Sequence, residues 1–145
     1  MPDFQSFAAS DNFRLARSKT LYQLADGTYN LILIPKFAFI MELWFIVTQA
    51  YAGGAGATAT IGFTGNGETA DPDGFMDATA AGARATGVKL MSDDAQPGSK
   101  GKWFNTASGF LTITLDDSTD TTLLIGTVVV AYSVLHSGGI KWQLS

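Results

Sequence analysis

The chain has 145 residues and a formal net charge of −4, and 46% of its residues are hydrophobic while only 15% are charged. This composition excludes intrinsic disorder and suits one domain, and so little charge favours a surface that is partly covered in an assembly. The lysines and arginines are scattered and cysteine is absent, which argues against nucleic-acid binding and excludes disulfides and thiolate-ligated metals.

The first segment, 1–19, is aperiodic and carries Phe4, Phe7 and Phe13 among polar residues. It lacks the basic start and apolar run of a secretion signal, so we expect the protein to be made in a cytoplasm. A frayed terminus is one interpretation, and an extended arm whose phenylalanines dock on a neighbour is the other. We predict an N-terminal arm for 1–19 and a folded domain for 20–145.

A hairpin is predicted next, because Asp26-Gly27 separates the apolar segments 20–24 and 28–34. This dipeptide favours a type I′ turn, in which both central residues have positive φ. Pro35 has no N–H to donate, so it ends the second strand of this hairpin.

The most apolar segment is 37–48, and its aromatic and β-branched residues favour a strand over a buried helix. Nearby Pro35, Lys36 and Glu42 argue against a membrane span. One face is wholly apolar and is expected to form the core: Phe37, Phe39, Met41, Leu43, Phe45 and Val47. The other face comprises Ala38, Ile40, Glu42, Trp44, Ile46 and Thr48. Since this second face is also mostly apolar, we expect the strand to be central or covered by another subunit.

Further segments combine β-forming residues with turn signals and are predicted as strands: 57–64, 85–91, 103–104, 110–116 and 121–135. Within them, Val88 and Leu90 are expected to point inward, and Gly126 indicates a bulge or a close approach of two backbones. About eight strands without a firm helix predict an all-β, antiparallel β-sandwich with the strand number of a jelly roll. An immunoglobulin-like order of strands remains an alternative.

Two polar connections, 65–84 and 92–101, carry the carboxylates that could form a cation site or an acid–base pair. Asp71, Asp73 and Asp77 are weak metal-ligand candidates, since alternate carboxylates followed by a glycine resemble part of a calcium loop, but an Asx-type turn explains them as well. The adjacent Asp93 and Asp94 would point apart, whereas an acid–base pair has to converge.

Catalytic signals are weak throughout the chain. His136 is the single histidine, no Gly-x-Ser-x-Gly elbow is present, and the glycines of 51–56 lack the remainder of a phosphate-binding motif. We therefore expect neither enzyme activity nor a cofactor, and we interpret His136 as a locally bonded strand-end residue.

Short length, all-β character, absence of cysteine, Thr/Gly/Ala-rich strands such as 57–64 and an aromatic arm resemble the small virion proteins of tailed bacteriophages. Within that class the chain is most similar to capsid decoration (cement) proteins. The resemblance implies a homotrimer on the capsid surface that binds the major capsid protein and stabilises the shell.

The residues expected at these interfaces are Phe4, Phe7 and Phe13 of the arm, with Trp44 and Ile46 of the central strand. The alternative is a tail or head fibre component that binds a host cell-surface glycan through its acidic loops and surface aromatic residues. Neither interpretation requires a membrane or a nucleic acid.

Overall fold

A computed structural model of the protein describes residues 13–53, 56–65, 68–94, 101–104, 107–117 and 120–134. Two antiparallel sheets form a sandwich, as predicted. The first sheet contains β1 (Phe13–Arg17), β2 (Leu21–Tyr22), β4 (Ala38–Gln49), β7 (Gly87–Leu90), β8 (Lys102–Phe104) and β10 (Ile125–Val134). The second contains β3 (Gly27–Ile34), β5 (Thr58–Gly65), β6 (Asp71–Met76) and β9 (Gly109–Asp116). A short helix, α1 (Ala78–Ala81), follows β6.

The order of the strands is that of a jelly roll. In the first sheet β1 and β2 both pair with β10, while β7 and β8 both pair with β4, so each of these pairs acts as one interrupted edge strand. Counted in this way the described residues form eight strands. The first strand pairs with the last, the second with the seventh, the third with the sixth and the fourth with the fifth. The sheet orders are therefore 1-8-3-6 and 2-7-4-5, which confirms the jelly-roll prediction.

The core lies between the two sheets and follows the alternation of the sequence in most strands. Ala59, Ile61 and Phe63 of β5 are buried, as are Leu111 and Ile113 of the neighbouring β9. In β10 the predicted irregularity at Gly126 is confirmed, because the pairing with β4 shifts register there and a Cβ would lie 2.8 Å from the carbonyl oxygen of Ile46.

The central strand β4 changes face half-way along its length. Opposite β10, Ala131 pairs with Glu42 and Tyr132 pairs with Ile40, so Met41 is one extra residue in a β-bulge. The buried residues of β4 are consequently Ala38 and Ile40 before the bulge, and Leu43, Phe45 and Val47 after it. The prediction of one unbroken apolar core face is therefore wrong for the first half of the strand, where the two faces are exchanged.

The hairpin predicted around Asp26-Gly27 is also wrong. The short strand β2 pairs with β10 in the first sheet, whereas β3 pairs with β9 in the second, so the chain crosses between sheets at this point. The side chain of Asp26 instead accepts a hydrogen bond of 2.6 Å from the backbone N–H of Asp117.

Two other segments contain more regular structure than the sequence predicted. Phe13–Arg17, assigned above to the arm, is an edge strand paired with β10, and residues 1–12 lie outside the described residues. The connection 65–84 contains both β6 and α1, and α1 is stabilised at its start by Asp77, whose side chain accepts a 2.8 Å hydrogen bond from Ala80.

Candidate functional site

The outer face of the first sheet is largely apolar, although Arg17, Thr127 and Ser133 are among its members. In the register of the strands, Trp44 lies between Val129 and Leu90, and Ile46 lies beside Val88. We call this surface the apolar face; it comprises Phe13, Leu15, Phe39, Trp44, Ile46, Val88, Leu90, Trp103, Val129 and Ala131. A water-facing sheet surface of a monomer is normally polar, so this face has the composition of an interface.

Several members of the apolar face are well exposed in the single chain. Leu15 is 65% exposed, Val88 60% and Phe13 43%, and Met41 at the bulge adds a further 38%. Val88 and Leu90 were predicted to point inward, and this is wrong because their partners in β4 are the outward-pointing Ile46 and Trp44.

The one acidic residue of this region, Glu42, is engaged by the backbone. Its Oε1 accepts hydrogen bonds from the N–H groups of Leu43, at 2.9 Å, and Ser92, at 3.2 Å. Ser92 follows β7, so the carboxylate ties the end of this edge strand to β4 at the bulge. The charge is thereby partly satisfied within the chain, and this explains how a carboxylate is accommodated beside an apolar surface.

The outer face of the second sheet is different in character. It is rich in threonine, and the hydroxyl groups of Thr28 and Thr114 lie 2.9 Å apart across β3 and β9. Its exposed large hydrophobic residues are Leu33, which is 56% exposed, and its partner Phe110, which is 36% exposed. The two outer faces of the sandwich therefore offer unlike surfaces, one apolar and one mostly polar.

The predicted contact residues fall into two groups. Trp44, Ile46 and Phe13 all lie on the apolar face, while Phe4 and Phe7 are outside the described residues. Sequence reasoning missed Leu15 and Val88, because their strands are too short for alternation to assign a face without the pairing partner. The one sequence signal for these two contact residues was that each is a large apolar residue in a short segment with polar neighbours.

The fold is shared with chains from three bacteriophage capsids. A chain in the acidic stable capsid structure of Helicobacter pylori bacteriophage KHP30 superposes with a TM-score of 0.61 at 17% identity, covering 86% of this chain and 90% of that one. A chain of the Cyanophage Pam1 capsid asymmetric unit has a TM-score of 0.61 at 12% identity, covering 85% of each chain. A chain in the capsid of Ralstonia phage GP4 has a TM-score of 0.61 at 17% identity, covering 87% and 86%. The sequence matches no protein-family model and no curated protein.

The three weak metal-ligand candidates do not come together as one site. Asp71 and Asp73 share a side-chain hydrogen bond, and this bond is the main cause that raises the pKa of Asp73, followed by burial and the charge of Asp71. Asp77 has other partners. Its backbone N–H donates a 2.7 Å hydrogen bond to the Asp94 side chain, and its carboxylate caps the start of α1. Asp71 and Asp73 lie in an irregular strand rather than in a turn.

Replacing Asp73 with Asn should stabilise the domain at neutral pH and have little effect near pH 3. A carboxyl whose pKa is raised from 3.8 in the folded state stabilises the fold while protonated, and this contribution is lost as the pH rises through the folded value. The Asn amide can donate the hydrogen bond to Asp71 at every pH. Thermal unfolding of both proteins at several pH values measures the difference, and a difference independent of pH would contradict the shared-proton interpretation.

A second acidic group was not foreseen from the sequence. One carboxylate oxygen from each of Asp26, Asp116 and Asp117 lies within 4.8 Å of the other two. The buried Tyr51 lies nearby, and burial together with the charges of Asp117 and Asp26 raises its pKa to about 12. This group joins the connection before β3 to the end of β9.

The described residues show no arrangement of a nucleophile with a base. An open cleft of about 420 Å³ beside α1 is lined largely by alanine and glycine, together with Arg84 and Lys89. Arg84 forms an ion pair of 2.5 Å with Asp120. His136 lies outside the described residues. Among the described residues, no helix is long and apolar enough to cross a bilayer.

Proposed function

We propose that this protein is a bacteriophage virion protein that binds the capsid surface as a homotrimer and stabilises the shell. The apolar face carries the proposal, because leaving Leu15 and Val88 in water is costly for a lone subunit and favourable to cover in an assembly. A specific contact of ordinary size buries about 800 Å² on each partner.

Within the proposed contact between subunits, Trp44 is the expected anchor. It is half-buried at the centre of the face, flanked by Val129 and Leu90, and tryptophan at the centre of an interface often dominates its energy. A cyclic trimer brings two different patches together at each contact and closes on itself, so it covers this surface without forming an open fibre.

The capsid structures with this fold support a place on the virion head. Each superposition covers similar shares of this chain and of the capsid chain. The two chains therefore have similar lengths, and the match is not to one domain of a much larger subunit. For the shell contact we propose the segment 1–12 with Phe4 and Phe7, which directly precedes the edge strand β1, and the major capsid protein as its partner.

Two measurements test the proposal. Sedimentation of the purified protein should give three times the chain mass of 15.3 kDa, and the protein should bind and thermally stabilise shells that lack it. A monomer that does not bind shells would contradict the proposal. Binding to glycans without binding to shells would replace it with the fibre interpretation.

A further inference from the structure

We propose that Asp26, Asp116 and Asp117 bind one divalent cation, and that Ca²⁺ is the ion their geometry favours. Each contributes one carboxylate oxygen, and these oxygens lie within 4.8 Å of one another. Oxygen atoms that share one Ca²⁺ at 2.3–2.6 Å are at most ~5 Å apart, so a single ion can contact all of them with little rearrangement.

Two buried oxygen atoms beside this group have no hydrogen-bond partner among the residues that the structure describes. Tyr51 is 2% exposed, and its hydroxyl has no hydrogen-bond partner among the described residues. It lies close enough to the acidic group for the charges of Asp117 and Asp26 to add to the effect of burial in raising its pKa. The side chain of Asp120 has no exposed surface, and its Oδ1 has no partner, whereas its Oδ2 accepts from Arg84. Buried polar atoms are nearly always satisfied in native proteins, so these two oxygen atoms are available to a bound ion or to a water that it holds.

The backbone holds these oxygen atoms beside the carboxylates. The N–H of Asp120 donates to the carbonyl oxygen of Asp117 at 2.8 Å, and the N–H of Asp117 donates to Asp26 Oδ1 at 2.6 Å. Tyr51 precedes Ala52, whose carbonyl oxygen accepts from the N–H groups of Thr121 and Thr122. These hydrogen bonds hold Asp26, Asp117 and Asp120 close to one another, and they hold Ala52, which follows Tyr51, against Thr121 and Thr122.

The chemistry of the group selects a hard cation. All of the available donors are oxygen atoms, so zinc and softer metals are disfavoured, and Mg²⁺ requires a tighter octahedral geometry than three carboxylates at this spacing provide. Asp26 and Asp116 are exposed, so water can complete the six to eight ligands that Ca²⁺ takes. Such an open site is expected to bind Ca²⁺ with a dissociation constant of about 10⁻⁴ to 10⁻³ M.

A bound ion would hold together strands that are already neighbours. Asp26 directly precedes β3 and Asp116 ends β9, and the two strands pair at Gly27 and Leu115. The ion would therefore close the end of this strand pair and relieve the repulsion among its carboxylates. This role belongs to the single chain and does not depend on assembly or on shell binding.

Thermal unfolding of the full chain with about 5 mM CaCl₂ tests the site, with NaCl at matched ionic strength as the comparison. We expect Ca²⁺ to raise Tm by a few °C in the wild type and calorimetry to show one saturable site per chain. The variant Asp117→Asn should lose both responses, while its Tm without Ca²⁺ should equal or exceed that of the wild type, because repulsion with Asp26 and Asp116 is reduced.

Asp73→Asn is the matched control, since it alters an acidic pair on β6 that lies outside the proposed site, and it should keep the Ca²⁺ response. An equal Ca²⁺ response in Asp117→Asn and the wild type would overturn the proposal, as would an equal rise of Tm in NaCl. Loss of the response in Asp73→Asn would overturn the location of the site. The oligomer mass is measured in parallel, so a failure here is distinguishable from a failure of the trimer.

Discussion

Replacing Val88 with Asp is expected to convert the proposed trimer into monomers without unfolding the domain. Val88 is 60% exposed in the single chain, so a carboxylate there meets water and should change the stability of the free subunit by only about 0.5 kcal/mol. In the assembled state the same carboxylate would be buried beside Ile46 without a partner, which costs several kcal/mol. Sedimentation should therefore give the mass of one chain for the variant, whereas we expect the mass of three chains for the wild type.

The chain offers a closely matched control in Leu33→Asp. Leu33 is 56% exposed and lies on an edge strand, as Val88 does, but on the outer face of the second sheet. We expect this variant to keep the mass and the shell binding of the wild type. If Leu33→Asp dissociates the assembly and Val88→Asp leaves it intact, the interface lies on the second sheet and the role proposed for the apolar face is wrong.

Periodicity predicted the strands whose two faces differ in polarity. In β5 and β9, apolar residues such as Ile61 and Ile113 alternate with threonine, so only one choice of face buries the apolar set, and the structure confirms it. In β10 the structure buries Val128 and Val130, which lie on one side of the alternating segment. The all-β class and the jelly-roll strand number follow from such segments.

Periodicity could not show which residues point into the core where both faces of a strand are apolar. In β4 a bulge at Met41 exchanges the faces, and no residue in the sequence marks it, because every position from Phe37 to Met41 is compatible with either side. The faces of β7 depend on its pairing with β4, which is more than 40 residues away in sequence. Long-range pairing also separated β2 from β3, although Asp26-Gly27 is a favourable turn dipeptide.

The candidate cation site could not be predicted from nearby residues in the sequence, because it too depends on long-range strand pairing. Asp26 and Asp117 are separated by 91 residues, and only the pairing of β3 with β9 brings them together. The sequence pointed instead to Asp71, Asp73 and Asp77, which are close along the chain, but Asp77 is committed to the start of α1. Proximity in sequence was a poor guide because a strand or a helix turns nearby carboxylates in different directions.

The two isoleucines of β4 provide the most direct test of the bulge. A continuous alternation places Ile40 and Ile46 on the same face, whereas the structure buries Ile40 completely and leaves Ile46 half-buried on the apolar face. In the monomeric Val88→Asp background, Ile40→Ala should lower the free energy of unfolding by about 2–5 kcal/mol, because it opens a cavity in the core. Ile46→Ala should cost about 1 kcal/mol, since the shortened side chain lies against solvent.

Urea unfolding followed by tryptophan fluorescence measures both losses under the same conditions. Equal losses for the two variants would mean that Ile40 and Ile46 share one environment, which is incompatible with a bulge between them. In the proposed trimer the order of the two losses should change, because Ile46 would then contribute to the contact between subunits while Ile40 contributes only to the core. A loss of assembly from Ile46→Ala at little cost to the monomer would locate the contact on the apolar face independently of any added charge.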